Sequence, residues 1–284
     1  MKLHVILACH NRRELTVRAI TSTIAAASAA GVFVDFTVFD DGSTDGTDAA
    51  LKSVRARVSM LRGDGSAYWA KSMAAAESAV LARSDVGDGP NEWIVWLNDD
   101  VLVDKTALLR FSKYLESSPA SRPPEAVVVG AMRDPHTSEV TYGGLAKIGR
   151  HPLGLAQVNP GVVPVRIDTF NGNLVAVPVH IARVVGGIDG GFAHAFADID
   201  YGFRCQRLGI DVVLAPGTYG SCPRNIPPLR GSILGDWQAF TGAKGGGNFP
   251  SLRLILRKSN PRTWWAVIIV SYGLWLTRRV LRTG

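Results

Sequence analysis

A chain of 284 residues, 46% of them hydrophobic, can fill a sizeable core, which excludes an intrinsically disordered protein. Its three cysteines, Cys9, Cys205 and Cys222, have no CxxC or CxxH spacing, so neither a zinc site nor a disulfide framework is indicated and a reducing cytoplasm fits best. The net charge of +7 is uneven: residues 222–284 carry ten Lys or Arg against one acidic residue, which leaves the first 221 residues at −2. That slightly acidic body argues against nucleic acid as a partner, while the basic tail alone fits anionic lipid or an acidic ligand equally.

In chain order, the opening MKLHVILACHNRR has almost no basic lead and no small-residue cleavage pattern, so LHVILAC reads as a first strand and not a signal peptide. Residues 14–30 are alanine-rich and helical, FVDFTVFD is a second strand, 48–54 a short helix and RVSMLRG a third strand. A helix over 69–83, the loop SDVGDGPNE and the strand WIVWLNDDVLV follow. This βαβαβαβ order predicts an α/β fold with a Rossmann-like, mostly parallel central sheet and helices on both faces, with ligands at the carboxyl ends of the strands. There is no GxGxxG after the first strand, which argues against a dinucleotide-dependent dehydrogenase.

Beyond Thr106 the pattern gives a helix to about Ser117, the linker SPASRPPE, the strand AVVVGAM, and a Gly- and Pro-rich stretch over 133–166 with a short hairpin around EVTYGGL. The strand FNGNLVAVP, a helix over 179–185, a helix from about Ile199 to Leu208 and the closing strand DVVLAP complete the body. GAKGGGNF has the glycines of a phosphate loop without the preceding strand or a GK[ST] ending, and reads as a flexible hinge.

Acidic residues recur where elements end. FDDGSTDGT at 39–47 puts Asp40 and Asp41 where a buried strand emerges, WLNDDV puts Asn98, Asp99 and Asp100 after the fourth, and FADIDYGFR puts Asp198 near a helix N-terminus. Each alone reads as a solvated turn or a helix cap. Together they suggest one cleft that holds a nucleotide, holds a metal and removes a proton.

These stretches with CHNR, in this order, resemble the inverting glycosyltransferases of family 2, which have the GT-A fold; GDGSAYWAKSM and NGNLVAVP are similar to the branch with rhamnosyl- and galactofuranosyltransferase-like proteins. The resemblance implies that Asp41 accepts a hydrogen bond from the imide N3 of uracil or thymine, so that the donor is a UDP- or dTDP-sugar. It implies nucleotide contacts at Gly65, Trp69 and Asp99, a divalent Mn or Mg ion on Asp100, and Asp198 as the general base, with Ala197 in place of a Glu. Asn171, Gly172, Asn173, Asp200 and Arg204 fall on the donor-sugar and acceptor side. Against these roles stand plainer ones: Trp69 as core, NGN as a turn, Asp200 and Arg204 as an i,i+4 pair and Asp198 as a helix cap. One departure is the absence of a histidine after the closing strand; neither His194 nor His180 sits at the matching position.

The chain thus divides into a nucleotide-sugar-binding half over 1–105, an acceptor-binding half of the same domain over 106–221, and a basic extension over 222–284. In that extension a helix is expected from Pro261 to about Arg282, its 13-residue apolar run Trp264–Leu276 bracketed by arginines. Such a run reaches about 20 Å, too short to span a bilayer, so it should lie in the interface of an anionic membrane on its cytoplasmic face. Docking on the body or in a homo-oligomer is the other reading of the same helix. The expected activity is transfer of a sugar from the nucleotide to a hydroxyl of a lipid-linked or polymeric glycan. A sugar nucleotidyltransferase would carry a Gly-rich loop where this chain has CHNRREL, and a catalytically silent nucleotide-sugar-binding protein has no reason to keep Asp41, Asp100 and Asp198 together.

Overall fold

The computed structural model describes residues 1–116, 126–225 and 231–281. Its first strand, β1 (Lys2–Cys9), is buried on both sides: Leu3, Val5 and Leu7 enter one core and Ile6 the other, as the two-residue period of a strand requires. The chain continues through α1 (Arg13–Ala30), β2 (Phe33–Asp40), α2 (Thr47–Lys52), β3 (Val58–Arg62), α3 (Tyr68–Leu81) and β4 (Glu92–Leu97). These four strands pair in parallel in the order β3-β2-β1-β4. Helix α1 ends at Gly31, whose left-handed φ of 66° lets its N–H reach back to Ala27 and Ser28.

Past β5 (Leu102–Val103) and α4 (Ala107–Glu116), the SPASRPPE linker lies outside the described residues. There follow β6 (Ala126–Arg133), β7 (Val140–Tyr142), β8 (Gly144–Lys147), β9 (Leu155–Gln157), β10 (Val165–Arg166), β11 (Thr169–Phe170), β12 (Leu174–Pro178), α5 (Val179–Val185), α6 (Ala197–Arg207) and β13 (Asp211–Ser221). Here the sheet departs from a parallel one. Strand β12 runs antiparallel between β4 and β6, β13 lies parallel to β6, and β10 closes the edge antiparallel. The closing strand is longer than DVVLAP suggests, because register shifts around Pro216 and Gly217 let it continue to Ser221 and pair with β5.

Trp96, on β4, is fully buried among the rings of Trp69, Phe170 and Tyr201, with centroids 4.8–6.2 Å away. Cutting such a side chain to alanine costs about 3–5 kcal/mol. Below it, Glu77 of α3 accepts the Ile188 N–H at 2.5 Å, fixing the turn after α5. Burial raises the Glu77 carboxyl to about 7, against the pull of that N–H and of the Arg204 charge.

The basic extension packs on the body instead of standing apart. It forms α7 (Ile233–Thr241), α8 (Phe249–Ser259) and α9 (Trp264–Leu281), of which α8 buries Leu252, Ile255 and Leu256 in the core. GAKGGGNF, expected to be a flexible hinge, is instead a tight turn: Gly247 N donates to Phe240 O at 3.0 Å and Tyr272 Oη to Gly247 O at 2.7 Å. A Cβ on Gly247 would lie 2.3 Å from the Phe240 ring, which explains the glycine. Helix α9 docks through Ile268, Tyr272 and Trp275, the last stacked on Phe240, and Arg279 donates to Asp236. The expected end at Arg282 lies outside the described residues.

Because Glu77 is neutral in the fold at pH values where it is ionised in the unfolded chain, its contribution to stability is complete below pH 4.5 and is lost as pH rises through about 7. On the order of 3 kcal/mol is at stake. Glu77→Gln should flatten denaturant-derived stability between pH 5 and 8 relative to the parent; an unchanged slope would put the effect elsewhere.

Candidate active site

The carboxyl ends of β1, β2, β3 and β4 share one edge of the sheet, and the antiparallel run of β12 brings its N-terminal end to the same edge. Loops 9–13 and 41–47 interlock there. Asn11 Oδ1 accepts Thr44 N at 2.8 Å, Asn11 N donates to Ser43 Oγ at 2.9 Å, and Asp45 accepts Arg13 N at 2.9 Å. Asp40 supports this turn by accepting Ser43 N at 2.9 Å.

Asp41 organises the next loop. Its Oδ1 accepts Gly65 N, and its Oδ2 accepts Ala67 N and Tyr68 N, each at 3.0 Å. Gly65 takes the φ of 92° that this embrace demands, and Tyr68 is pushed to φ 53°. The carboxylate expected to read a base is thereby tied to GDGSAYW, with Oδ1 keeping one acceptor direction beyond its bond to Gly65. Tyr68, whose N–H meets this carboxylate, is 40% exposed. Trp69, expected to contact the nucleotide, is turned inward: its Nε1 donates to Asn98 Oδ1 at 2.8 Å and its ring meets Trp96 edge-on. The tryptophan is a wall of the cleft, and the tyrosine is the available face.

At the end of β4, Arg12 lies between two carboxylates, donating to Asp99 Oδ1 at 2.8 Å and Asp100 Oδ2 at 3.2 Å. Burial raises Asp99 to about 6; Arg12 pulls it down and Asp100 pushes it up. Cys222, directly after β13, donates its S–H to Asp100 Oδ1 at 3.4 Å and accepts from Asn173 Nδ2 at 3.6 Å. Burial, then the charge of Asp100, holds this thiol protonated. A cysteine therefore stands beside the acidic pair where the histidine was missed. Among the described residues no group of three or more His, Cys, Asp or Glu could hold a metal. The donor set fits a hard divalent ion in one way: one or two carboxylate oxygens from Asp99 and Asp100, the rest from a ligand such as a diphosphate. A protonated thiol is a poor ligand for such an ion.

The turn 171–173 joins this pair to Asp198. Asn98 N donates to Asn173 O at 3.2 Å, and Gly172 N donates to Asp198 Oδ2 at 3.1 Å. A side chain on Gly172 would strike the Trp69 ring at 2.8 Å. Asn173 N donates to Asn171 O and Asn171 N to Gly143 O, each at 2.9 Å, so the turn role of NGN is real and serves the cleft. Asp198 lies in the first turn of α6, its Oδ1 accepting Ile199 N at 2.9 Å, and burial raises it to about 6 despite both N–H donors. Phe196, just before, has φ 79°. Asn11, Tyr68 and Phe196 are three of the four described non-glycine residues with positive φ, and all three border the cleft.

Asp200 and Arg204 form the i,i+4 pair that was their plainer reading. Asp200 is buried, accepts Arg204 Nε at 2.7 Å and faces Lys258 of α8 at 3.1 Å, so this pair serves the packing of α6 on α8. Residues that sequence reasoning passed over are Arg12, Tyr68 and Cys222. Arg12 was visible within CHNR, whereas nothing local marks Cys222.

The profile described as Glycosyl transferase family 2 matches residues 4–164, more than half of the chain. The chain belongs to glycosyl transferase family 2. It is therefore a glycosyltransferase, and the nucleotidyltransferase alternative falls away. No curated protein matches it. Among solved structures it is similar to S. aureus TarS 1–349 in complex with UDP-GlcNAc, at 13% identity and TM-score 0.58, covering 92% of this chain and 68% of that one. It is also similar to GalNAc-T7 with UDP, GalNAc and Mn²⁺, at 14% identity and TM-score 0.62, covering 90% of this chain and 47% of that one. At such identities the likeness is one of fold, the GT-A fold, and this chain spans less than half the length of GalNAc-T7.

Replacing Asp41 with alanine leaves three loop N–H groups without their acceptor, and bonds to a charged group contribute about 1.5–3 kcal/mol each. Asp41→Ala should lower stability by at least about 3 kcal/mol in denaturant titration and weaken UDP or dTDP binding even without metal. A variant of unaltered stability and affinity would refute the role of Asp41 in holding this loop.

Proposed function

We propose that the chain is an inverting glycosyltransferase that moves a sugar from a UDP- or dTDP-sugar to a hydroxyl of a lipid-linked or polymeric glycan. The observation that carries this reading is the Asp198 carboxylate, held by two backbone N–H groups and raised by burial, joined through the 171–173 turn to the acidic pair after β4. A carboxylate raised to about 6 is a stronger base than an ordinary one and is still ionised at neutral pH, which suits a proton acceptor. In the proposed step the acceptor hydroxyl gives its proton to Asp198 as its oxygen bonds to the anomeric carbon. The bond from that carbon to the diphosphate oxygen breaks on the opposite face, which inverts the configuration.

The donor reading rests on family membership and on the Asp41 loop, with Tyr68 as the ring on which a base stacks. Of the two similar structures, GalNAc-T7 holds UDP with Mn²⁺, which supports a divalent ion here, with Asp100 as its protein ligand and Asp99 beside it. When bound, such an ion neutralises charge on the departing diphosphate. Arg12 contributes a cation of its own at the same carboxylates. The similarity of GDGSAYW and NGNLVAVP to the rhamnosyl and galactofuranosyl branch suggests a deoxyhexosyl or hexosyl donor.

Asp198→Asn should cut kcat by about 10²–10⁴ while UDP affinity stays within a few-fold. A comparable loss of affinity would overturn the assignment. In the parent enzyme kcat/KM should fall about tenfold per pH unit below about 6, as the base becomes protonated. NMR of the product should show the anomeric configuration opposite to the donor's. Asp100→Ala should remove the Mn²⁺-dependent part of UDP affinity in calorimetry; metal dependence that persists would move the ion elsewhere.

A further inference from the structure

Docking uses only one side of α9. Ile268 is buried, and Trp264, Tyr272 and Trp275 pack inward, whereas Trp265, Ile269 and Leu276 are 55%, 64% and 50% exposed. At 100° per residue these three fall within an arc of about 40°, a single stripe, and the exposed Val270 and Leu274, about 140° and 180° round from Trp265, extend apolar exposure to about half of the helix circumference. Solvent-facing large apolar side chains continued over three turns are not the scattered ones that any surface carries. Arginines stand at the ends of this exposed face: Arg262 precedes the helix, Arg278 lies in its last turn about 40° round from Leu274, and Arg257 lies in the last turn of α8. All three are exposed and make no ion pair with a described residue. No acidic residue follows Asp236, and Asp236 is paired with Arg279.

We infer that the outer face of α9 is a membrane-binding surface, which lies in the headgroup region of an anionic bilayer while its inner face stays docked on the glycosyltransferase body. Charge decides this occupant over a second copy of the chain. A two-fold contact through this stripe brings arginine-framed edges against each other with no carboxylate on the helix to answer them, whereas anionic headgroups neutralise them. A transmembrane path is excluded for this helix as well, since no described helix is long and apolar enough to span. Tryptophan and arginine beside aliphatic side chains match the interfacial layer, where ring, guanidinium and hydrocarbon each find their own depth.

Flotation of the full chain with vesicles of phosphatidylcholine, with and without phosphatidylglycerol, tests this. The parent should float with the anionic vesicles at least about tenfold better than with pure phosphatidylcholine. Salt at about 0.5 M should release part of it, because screening removes the charge contribution and leaves the apolar one. W265S/I269S/L276S, all at exposed positions, should stay at the bottom of the gradient with an unchanged melting temperature. If that variant misfolds, R262A/R278A decides, since it leaves the apolar face intact and should lose the preference for anionic vesicles. Absence of flotation by the parent, or undiminished flotation of a folded triple variant, overturns the inference. So does a dimer that the triple variant converts to monomer while neither chain floats, which assigns the stripe to a second copy.

Discussion

The cleft depends on β12 entering the sheet antiparallel, between β4 and β6. Were this strand parallel to β4, its N-terminal end would lie at the far edge of the sheet, and the turn 171–173 with it. Running the other way, β12 sets Asn173 beside Asn98 and Gly172 beside Asp198, so that one short turn touches the residue before the acidic pair on one side and the proposed base on the other. The geometry of the reaction centre is thus a matter of strand direction before it is one of side chains. Trp96 and the rings around it fill the space directly behind this turn, which stops it from shifting.

Around this junction the cleft borrows its rigidity from polar backbone bonds. The Asp41 carboxylate gathers three N–H groups, Asp198 gathers two, and the loops after β1 and β2 exchange bonds in both directions. Positive φ at Asn11, Tyr68 and Phe196 is the strain that accompanies so many constraints, and it is concentrated where ligands are proposed to bind. The C-terminal segment takes part as well. Ser251 of α8 accepts the N–H of Ala193, and Lys258 meets both Asp189 and Asp200, so the loop leading into Asp198 is braced by residues far along the chain.

Much of this was legible in the sequence, for reasons that can be named. Strands β1 to β4 and the helices between them carry clean periodicity and sharp turn signals, and the acidic clusters stand out because carboxylates seldom follow fully apolar runs. The direction of β12 was not legible, because an apolar run of five residues reads identically in a parallel and an antiparallel neighbour. The choice between Tyr68 and Trp69 was not legible either: adjacent aromatics at a helix start point to opposite sides only once the loop held by Asp41 fixes the entry angle. Cys222 meets Asp100 through the register shifts that lengthen β13, a tertiary event with no local mark. The packing of the basic extension was hidden for a related reason, since Trp237, Phe240 and Trp275 find one another only in three dimensions.

Arg12 between Asp99 and Asp100 bears on how any cation reaches this cleft. The two carboxylates already share a guanidinium at 2.8 and 3.2 Å, so an ion held by Asp100 would compete with a positive group already seated there. Its net affinity would then be a difference between two attractions, smaller than that of the ion for the bare carboxylates. A guanidinium freed by such an ion would be a planar donor fork, suited to a pair of phosphate oxygens.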